Sequence, residues 1–404
     1  MKRPTDLIHH PYQPPADFQA PQPGVFKAST VIFPDVASIA QRDWMQKTGY
    51  TYGLHGTPTT FTLEERLASL EGGTHALLVP SGLAAIAHVN LALLNQGDEV
   101  LLPDNVYGPN KALAAHELNR WGITTQHYDP MSCDDLVQRL SPRTRLVWLE
   151  APGSVSMEFP DLLAMVGACR ERGVLCALDN TWGAGLAFNA FDLLPDQPGA
   201  LGVDITAHAL TKYPSGGGDV LMGSIVTRRD DLAQALKLTH MRLGTGVGAN
   251  DVELVLRALS SMDLRYRSQD QAARELARWC AEQAAVAQVL HPALPGAPGH
   301  DHWKRVCVSA QAPEGLAAGI FSIVLNERFT TQQVHAFCDD LQLFKLGYSW
   351  GGPISLVMTY QMAAIRRLAT PHLQSGHVVR LCIGLESVED LRADLQQSMA
   401  RHLR

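Results

Sequence analysis

The chain has 404 residues, 46% of them hydrophobic, enough for two or three domains of roughly 150 residues and a sizeable core. Lys and Arg number 33 against 40 Asp and Glu, a net charge of -7 with no basic stripe, which disfavours nucleic acid and anionic membranes as partners. The 7 cysteines are scattered, odd in number and never spaced C-x-x-C, which excludes a disulfide framework or structural zinc site and predicts reduced thiols in the cytoplasm.

The first residues, MKRPTDLIHHPYQPP, lack the apolar core of a signal peptide, and no apolar run approaches the roughly 18 residues of a membrane span. Pro4, Pro11, Pro14, Pro15, Pro21 and Pro23 keep this stretch from forming a long helix and predict an arm lying on another surface. From Asp35 a weak helical pattern leads into GYTYGLHGTPTTFTLEERLASLEGG. It reads as an irregular loop carrying Tyr50, Tyr52 and His55, then an amphipathic helix capped near Thr60 or Thr62. Loops between rigid elements concentrate binding residues, although aromatic pairs there pack on a core at least as often.

After Gly72-Gly73, HALLVPSGLAAIAHVNLALL predicts a strand, a turn at Ser81-Gly82 and a helix. Gly82 would let the backbone approach a ligand, and the helix's free amides and dipole suit a phosphate. DEVLLPD is the next strand, followed by the loop Asn105 to Gly108. RTRLVWLEAPGS, GVLCALDNTWGAG and VDITAHAL repeat the theme of an apolar run ending in polar residues or glycine. Strands alternating with helices imply a mostly parallel sheet with helices on both faces, whose ligands sit beyond the carboxyl ends of the strands. Tyr107, Ser154, Asp179, Asn180 and Lys212 all fall at that edge.

Lys212 lies among small and hydroxylated residues, ahead of Tyr213, Pro214 and three glycines. Burying an unpaired ammonium is costly, and a desolvated amine loses its proton readily and condenses with aldehydes, as pyridoxal phosphate (PLP) requires. A snorkelling surface lysine beside a Gly-rich turn has the same local look. GTGVGAN follows a helix and lacks G-x-G-x-x-G spacing, which leaves it a loop into NDVELVLRALSSM and argues against a nicotinamide dehydrogenase. A long helix is predicted to run on to about Leu290, and HPALPGAPGHDHWKRV is predicted to be a connector. The last third offers strands GIFSIVL, SLVMTY and VVRLCIG, with helices around Thr331 to Leu341 and Val388 to Met399, an α+β arrangement with a mostly antiparallel sheet. Arg380, in the middle of VVRLCIG, needs a carboxylate from the protein or from a substrate.

YGLHGTPTTFTLEERLASLEGG, ALDNTWGAG, ALTKYPSGGG, HPALPGAPGHDHWKR, GYSWGG and VVRLCIGLESVEDL, in this order, resemble the Cys/Met-metabolism family of PLP enzymes, most closely its bacterial cystathionine β-lyase branch. The resemblance runs from about Val25 onward and implies the aminotransferase-like fold (fold type I): an arm over residues 1–58 contacting a neighbouring subunit, a PLP-binding α/β domain over 59–255 and a smaller α+β domain over 256–404. It implies Lys212 as the Schiff-base lysine and α-proton base, Asp179 on the pyridine nitrogen, and Tyr107 stacked on the ring and serving catalysis. Gly82, Leu83 and Thr211 would cradle the phosphate, joined by Tyr52 of an adjacent subunit, which also borders the substrate. Arg380 would clamp the substrate carboxylate, with Ser349 and Trp350 shaping the pocket. The implied assembly is a homotetramer built from two dimers, and the implied substrate a small sulfur amino acid, with no metal.

Two departures stand out. Relatives usually carry an arginine two residues after the phosphate-binding tyrosine, where this chain has Leu54 followed by His55. The wording APGSVSME, in place of P-S-N-P, resembles the β-lyases. β-Elimination of cystathionine to homocysteine, pyruvate and ammonia is therefore the expected reaction. A γ-lyase or γ-replacement enzyme of the same family is the alternative, and a non-catalytic PLP-binding regulatory protein the alternative from another class.

Overall fold

A strand covered on both faces must be apolar almost throughout, and LVWLE and EVLLP meet that demand. The computed structural model describes residues 20–404 apart from 195, 196, 198 and 311. Pro4, Pro11, Pro14 and Pro15 of the expected arm lie outside the described residues. Seven strands form the first sheet: β1 (His75–Val79), β2 (Glu99–Pro103), β3 (Thr124–Tyr128), β4 (Thr144–Glu150), β5 (Leu175–Asp179), β6 (Ile205–Ala209) and β7 (Gly223–Thr227). Their order is β1-β7-β6-β5-β4-β2-β3, and only β7 runs against the others.

Alternate residues along these strands serve opposite faces. Leu101, Val147, Leu149 and Leu178 join one cluster with Leu63 and Leu67, while Val100, Leu102, Trp148 and Ala177 join another with Ile86 and Val89. Each fully buried aliphatic side chain contributes about 1.5–3 kcal/mol, and the two clusters clamp the sheet between helical layers. One layer includes α1 (Pro58–Glu71) and the other α2 (Gly82–Leu93).

The α1 helix begins earlier than Thr60 or Thr62. Thr57 is its N-cap, its hydroxyl accepting from the Thr60 amide at 3.3 Å while the Thr60 hydroxyl accepts from the Thr57 amide at 2.7 Å. Pro58, which has no N–H to lose, fits the first helical position.

The expected helix to Leu290 ends sooner. A 20-residue helix, α3 (Met262–Ala281), gives way to strand β8 (Val286–Leu290). The expected connector contains helix α4 (His300–Cys307), whose Trp303, Val306 and Cys307 are buried. Its dense Pro and Gly flanks concealed this short amphipathic stretch. Strands β3 and β7 carry no clear signal in the sequence, β3 because TTQHY is polar at a sheet edge and β7 because five residues carry little pattern. The second sheet adds β9 (Ile320–Leu325), β10 (Lys345–Leu346), β11 (Leu356–Tyr360) and β12 (Val378–Cys382) in the order β10-β11-β12-β9-β8, antiparallel except at β10-β11. Helices α5 (Thr331–Asp339) and α6 (Val388–His402) pack on it through Val334, Phe337, Leu391 and Leu395. The chain thus has a mostly parallel sheet flanked by helices and a smaller domain with its own sheet.

Candidate active site

Five strands that run in the same direction deliver side chains to one edge. β1 leads to Ser81-Gly82, β2 to Tyr107, β4 ends at Glu150, β5 ends at Asp179, and β6 leads to Thr211 and Lys212. All of these residues line one cavity of about 440 Å³, together with Leu83, Ser154, Ser349 and Trp350. The two sheets meet there, because Ser349 and Trp350 belong to the loop between β10 and β11.

Lys212 is held without any acid partner among the described residues. Its Nζ donates to Ser349 Oγ at 2.9 Å and lies 4.3 Å from the centre of the Trp350 ring. Burial first, and the nearby Arg380 charge second, bring its pKa down to about 8, so a substantial fraction is the nucleophilic neutral amine at mildly alkaline pH. Local packing fixes the lysine. Gly351 has φ +77, and a Cβ there would meet the Tyr213 amide at 2.9 Å, so the GYSWGG loop closes on the Lys212 backbone only with glycine. Tyr213 is itself anchored, its hydroxyl accepting from the Gly319 amide at 2.9 Å.

Asp179 and Glu150 are register partners on adjacent parallel strands and therefore point to the same face. The Asp179 carboxylate accepts from the Thr181 hydroxyl at 2.6 Å and the Thr181 amide at 3.1 Å. Burial pushes both acids above the usual carboxylate range, and the Asp179 charge pushes Glu150 further. Glu150 closes the apolar run LVWLE and is not among the site residues the sequence predicts. Its signal is that it ends its strand in the same way that Asp179 ends the next.

Arg380 is 3% exposed and has no carboxylate partner among the described residues. Its Nη1 donates to the Ser154 carbonyl at 3.1 Å and its Nη2 to the Tyr348 carbonyl at 3.3 Å. The guanidinium carbon lies 5.4 Å from the Trp350 ring centre and 5.2 Å from that of Tyr360, while Nε has no partner. A buried cation kept by carbonyls and aromatic faces alone is placed to receive an anion from outside the chain.

Gly82 serves a different need from the one expected. A Cβ at this position would meet the Ala209 Cβ at 2.5 Å, so the glycine lets α2 press against β6. The result still favours an anion, since the Gly82 and Leu83 amides open the helix and have no acceptor within it. A ring carrying a basic nitrogen, an aldehyde and a phosphate fits these groups: a lysine without an acid partner, an acid without a cation, and open amides at a helix start. PLP, the cofactor that the resemblance implies, has those three features.

Not every expected residue reaches this cavity. Tyr52 is 45% exposed, pairs through its backbone with Thr30, and lies with Leu54 and His55 outside the Lys212 cavity of its own chain. His55 makes a 3.0 Å contact between Nδ1 and the Thr51 hydroxyl and packs 4.9 Å from the Trp44 ring. Burial, with Lys237 and Arg42 nearby, holds its pKa below the usual histidine value.

Comparison with known proteins gives the family and the fold. The profile of Cys/Met metabolism PLP-dependent enzymes matches residues 4–400. The chain is 36% identical over 381 residues to cystathionine beta-lyase MetC of Escherichia coli K12, covering 93% of this chain and 92% of that one. It is 38% identical over 381 residues to a putative cystathionine beta-lyase of Rhizobium johnstonii, covering 94% and 91%. The crystal structure of metB from Corynebacterium glutamicum superposes with a TM-score of 0.83 at 25% identity, covering 98% of this chain and 97% of that one.

Proposed function

The chain belongs to the family of Cys/Met metabolism PLP-dependent enzymes, and from that premise we propose that it is a carbon–sulfur lyase that cleaves cystathionine by β-elimination. The observation that carries this reading is the placing, on the one Trp350 ring that lines the cavity, of a partly neutral Lys212 at 4.3 Å and a buried Arg380 at 5.4 Å that lacks any acid partner among the described residues. An amino-acid substrate offers what each of them lacks, an acidic α-proton and a carboxylate.

The cofactor is pyridoxal 5'-phosphate, which when bound supplies an electron sink for the pair released at Cα. Lys212 would hold it covalently and, once displaced by the substrate amine, would take the α-proton. Asp179 would face the ring nitrogen, where an anion keeps a proton in place. Tyr107 would cover the ring face. The Gly82 and Leu83 amides and the Thr211 hydroxyl would bind the phosphate, with Tyr52 reaching it from a second copy of the chain, so that two chains complete each site. We read the assembly as a homotetramer of two such dimers. Arg380 would bind the α-carboxylate, and Ser349 and Trp350 would set the position of the Lys212 amine. Cleavage of the Cβ–S bond releases homocysteine, and water converts the three-carbon remainder to pyruvate and ammonia.

Support for β- over γ-elimination comes from the relatives' names and from the APGSVSME segment. Incubating the PLP-loaded protein with cystathionine and identifying the keto acid tests the reading. Pyruvate is expected, whereas 2-oxobutyrate would reassign the chain to the γ-enzymes. A yellow protein inert toward sulfur amino acids would favour the regulatory alternative.

A further inference from the structure

We propose that Glu150 is a positioning residue that locks the aromatic wall of the site and its carboxylate clamp into a single frame. The proposal rests on the reading above for the roles of Tyr107 and Arg380.

Glu150 is 5% exposed, and no basic side chain among the described residues makes an ion pair with it. Each of its two oxygens instead accepts from a backbone amide on a different loop. Oε2 accepts from the Tyr107 amide at 2.7 Å, and Oε1 from the Ser154 amide at 3.1 Å. The carbonyl of that same Ser154 accepts from Arg380 Nη1 at 3.1 Å. One carboxylate thus links the loop after β2, the loop after β4 and, through Ser154, the central strand of the second sheet. Tyr107 makes no side-chain bond that caps its short helix, Gly108–Leu113, and while its carbonyl accepts from the Asn110 amide at 2.8 Å within that helix, its own amide is tied to Glu150. No aliphatic residue could hold two N–H groups at once. A glutamine of the same shape accepts with one atom only and turns its own N–H toward the other amide.

The test compares the PLP-loaded wild type with Glu150→Gln, Arg380→Lys and the double variant. Glu150→Gln is expected to lower kcat/KM about 100-fold, the scale on which a misplacement of about 1 Å acts. Most of that loss should appear in KM, with the melting temperature nearly unchanged and the double variant losing less than the product of the two singles. In cofactor-free protein, the Kd for a plain carboxylate such as propionate should weaken in Glu150→Gln as well. Unchanged kcat/KM, a loss confined to kcat, a loss tracking a fall in melting temperature, or strict additivity with Arg380→Lys would each overturn the proposal. If Glu150→Gln does not accumulate folded, Glu150→Asp decides. It keeps both acceptors on a shorter arm and should raise KM, and a wild-type KM would overturn the proposal. Turnover is followed with whichever keto acid the wild type forms, so that a γ-elimination result leaves this test intact.

Discussion

Two buried charge clusters meet the same edge of the first sheet, and they differ in how far their charges are matched. In one, Asp104 accepts from Lys111 Nζ at 3.0 Å, from Arg366 Nε at 3.0 Å and from the Arg367 and Leu368 amides at 2.8 Å. Arg366 also reaches Glu158 at 2.6 Å, and Glu158 accepts further from His372 at 2.5 Å, Asn105 at 3.0 Å and the Ser156 hydroxyl. Burial works to raise both acids, yet the Leu368 amide and Lys111 hold Asp104 below the usual carboxylate range, and His372 and Arg366 do the same for Glu158. In the Lys212 cavity the balance runs the other way, with both acids pushed up and the lysine down. Removing a charge from water without a partner costs several kcal/mol. The matched cluster therefore ties together residues 104 and 158 of the first sheet's loops and residues 366 and 372 of the smaller domain. The unmatched set marks where a ligand completes the structure.

Substitutions in the two clusters should separate these roles, and the largest effect belongs to the lysine. Lys212→Ala should abolish keto-acid release and remove the visible absorption of lysine-bound cofactor, while the fold persists by circular dichroism. A variant that kept both signals would overturn the assignment.

The two arginines provide the next contrast. Arg366→Met takes away the cation that the buried Asp104 and Glu158 share, leaving Lys111 on the first and His372 on the second, and denaturant titration should register a loss of about 3 kcal/mol, the low end for breaking a buried pair. Arg380→Met leaves no acid stranded, so its stability should hold within about 1 kcal/mol. Its KM should rise roughly 30-fold or more, as expected for loss of one partner of a buried charged contact. Equal stability losses in the two variants would erase the distinction between the clusters.

The smallest effects are those of pH, and in both regions stability rises with pH, but in windows several units apart. Lys212 titrates at about 8 when folded and at about 10.4 when unfolded. Between those values the unfolded chain binds the extra proton, so this group's contribution to stability grows as pH rises from about 8 to about 10.4. Below about 8 its charging is a constant penalty. The rate of PLP attachment to cofactor-free protein should accordingly climb through pH 8 and then level off. Asp104 and Glu158 have folded pKa values lowered from their usual ones. Their stabilisation is present above the unfolded values near about 4 and is lost as pH falls below them. Acid titration of wild type against Arg366→Met checks this, because the variant should lose less on acidification.

Much of the site was legible beforehand, since its parts carry local signals. Lys212 stands in a run of small residues, Asp179 ends an apolar strand, and Arg380 interrupts another. Helix starts were less legible, because Thr57 and Thr60 are both capping residues and only the reciprocal bonds between them select one. Strand β3 was hidden by its polar edge, and α4 by the glycines and prolines on either side.

The mostly parallel sheet and the placing of Tyr107, Asp179 and Lys212 at its carboxyl edge follow from sequence alone, because apolar periodicity and backbone chemistry act over a few residues. Folding alone decided which charges find partners. Glu150 meets an amide 43 positions away, and Arg380 a carbonyl 226 positions away. Nothing local distinguishes Glu158, which is neutralised by Arg366, from Glu150, which is held by two amides. That difference arises from which loops the two sheets press together when they close on the cavity.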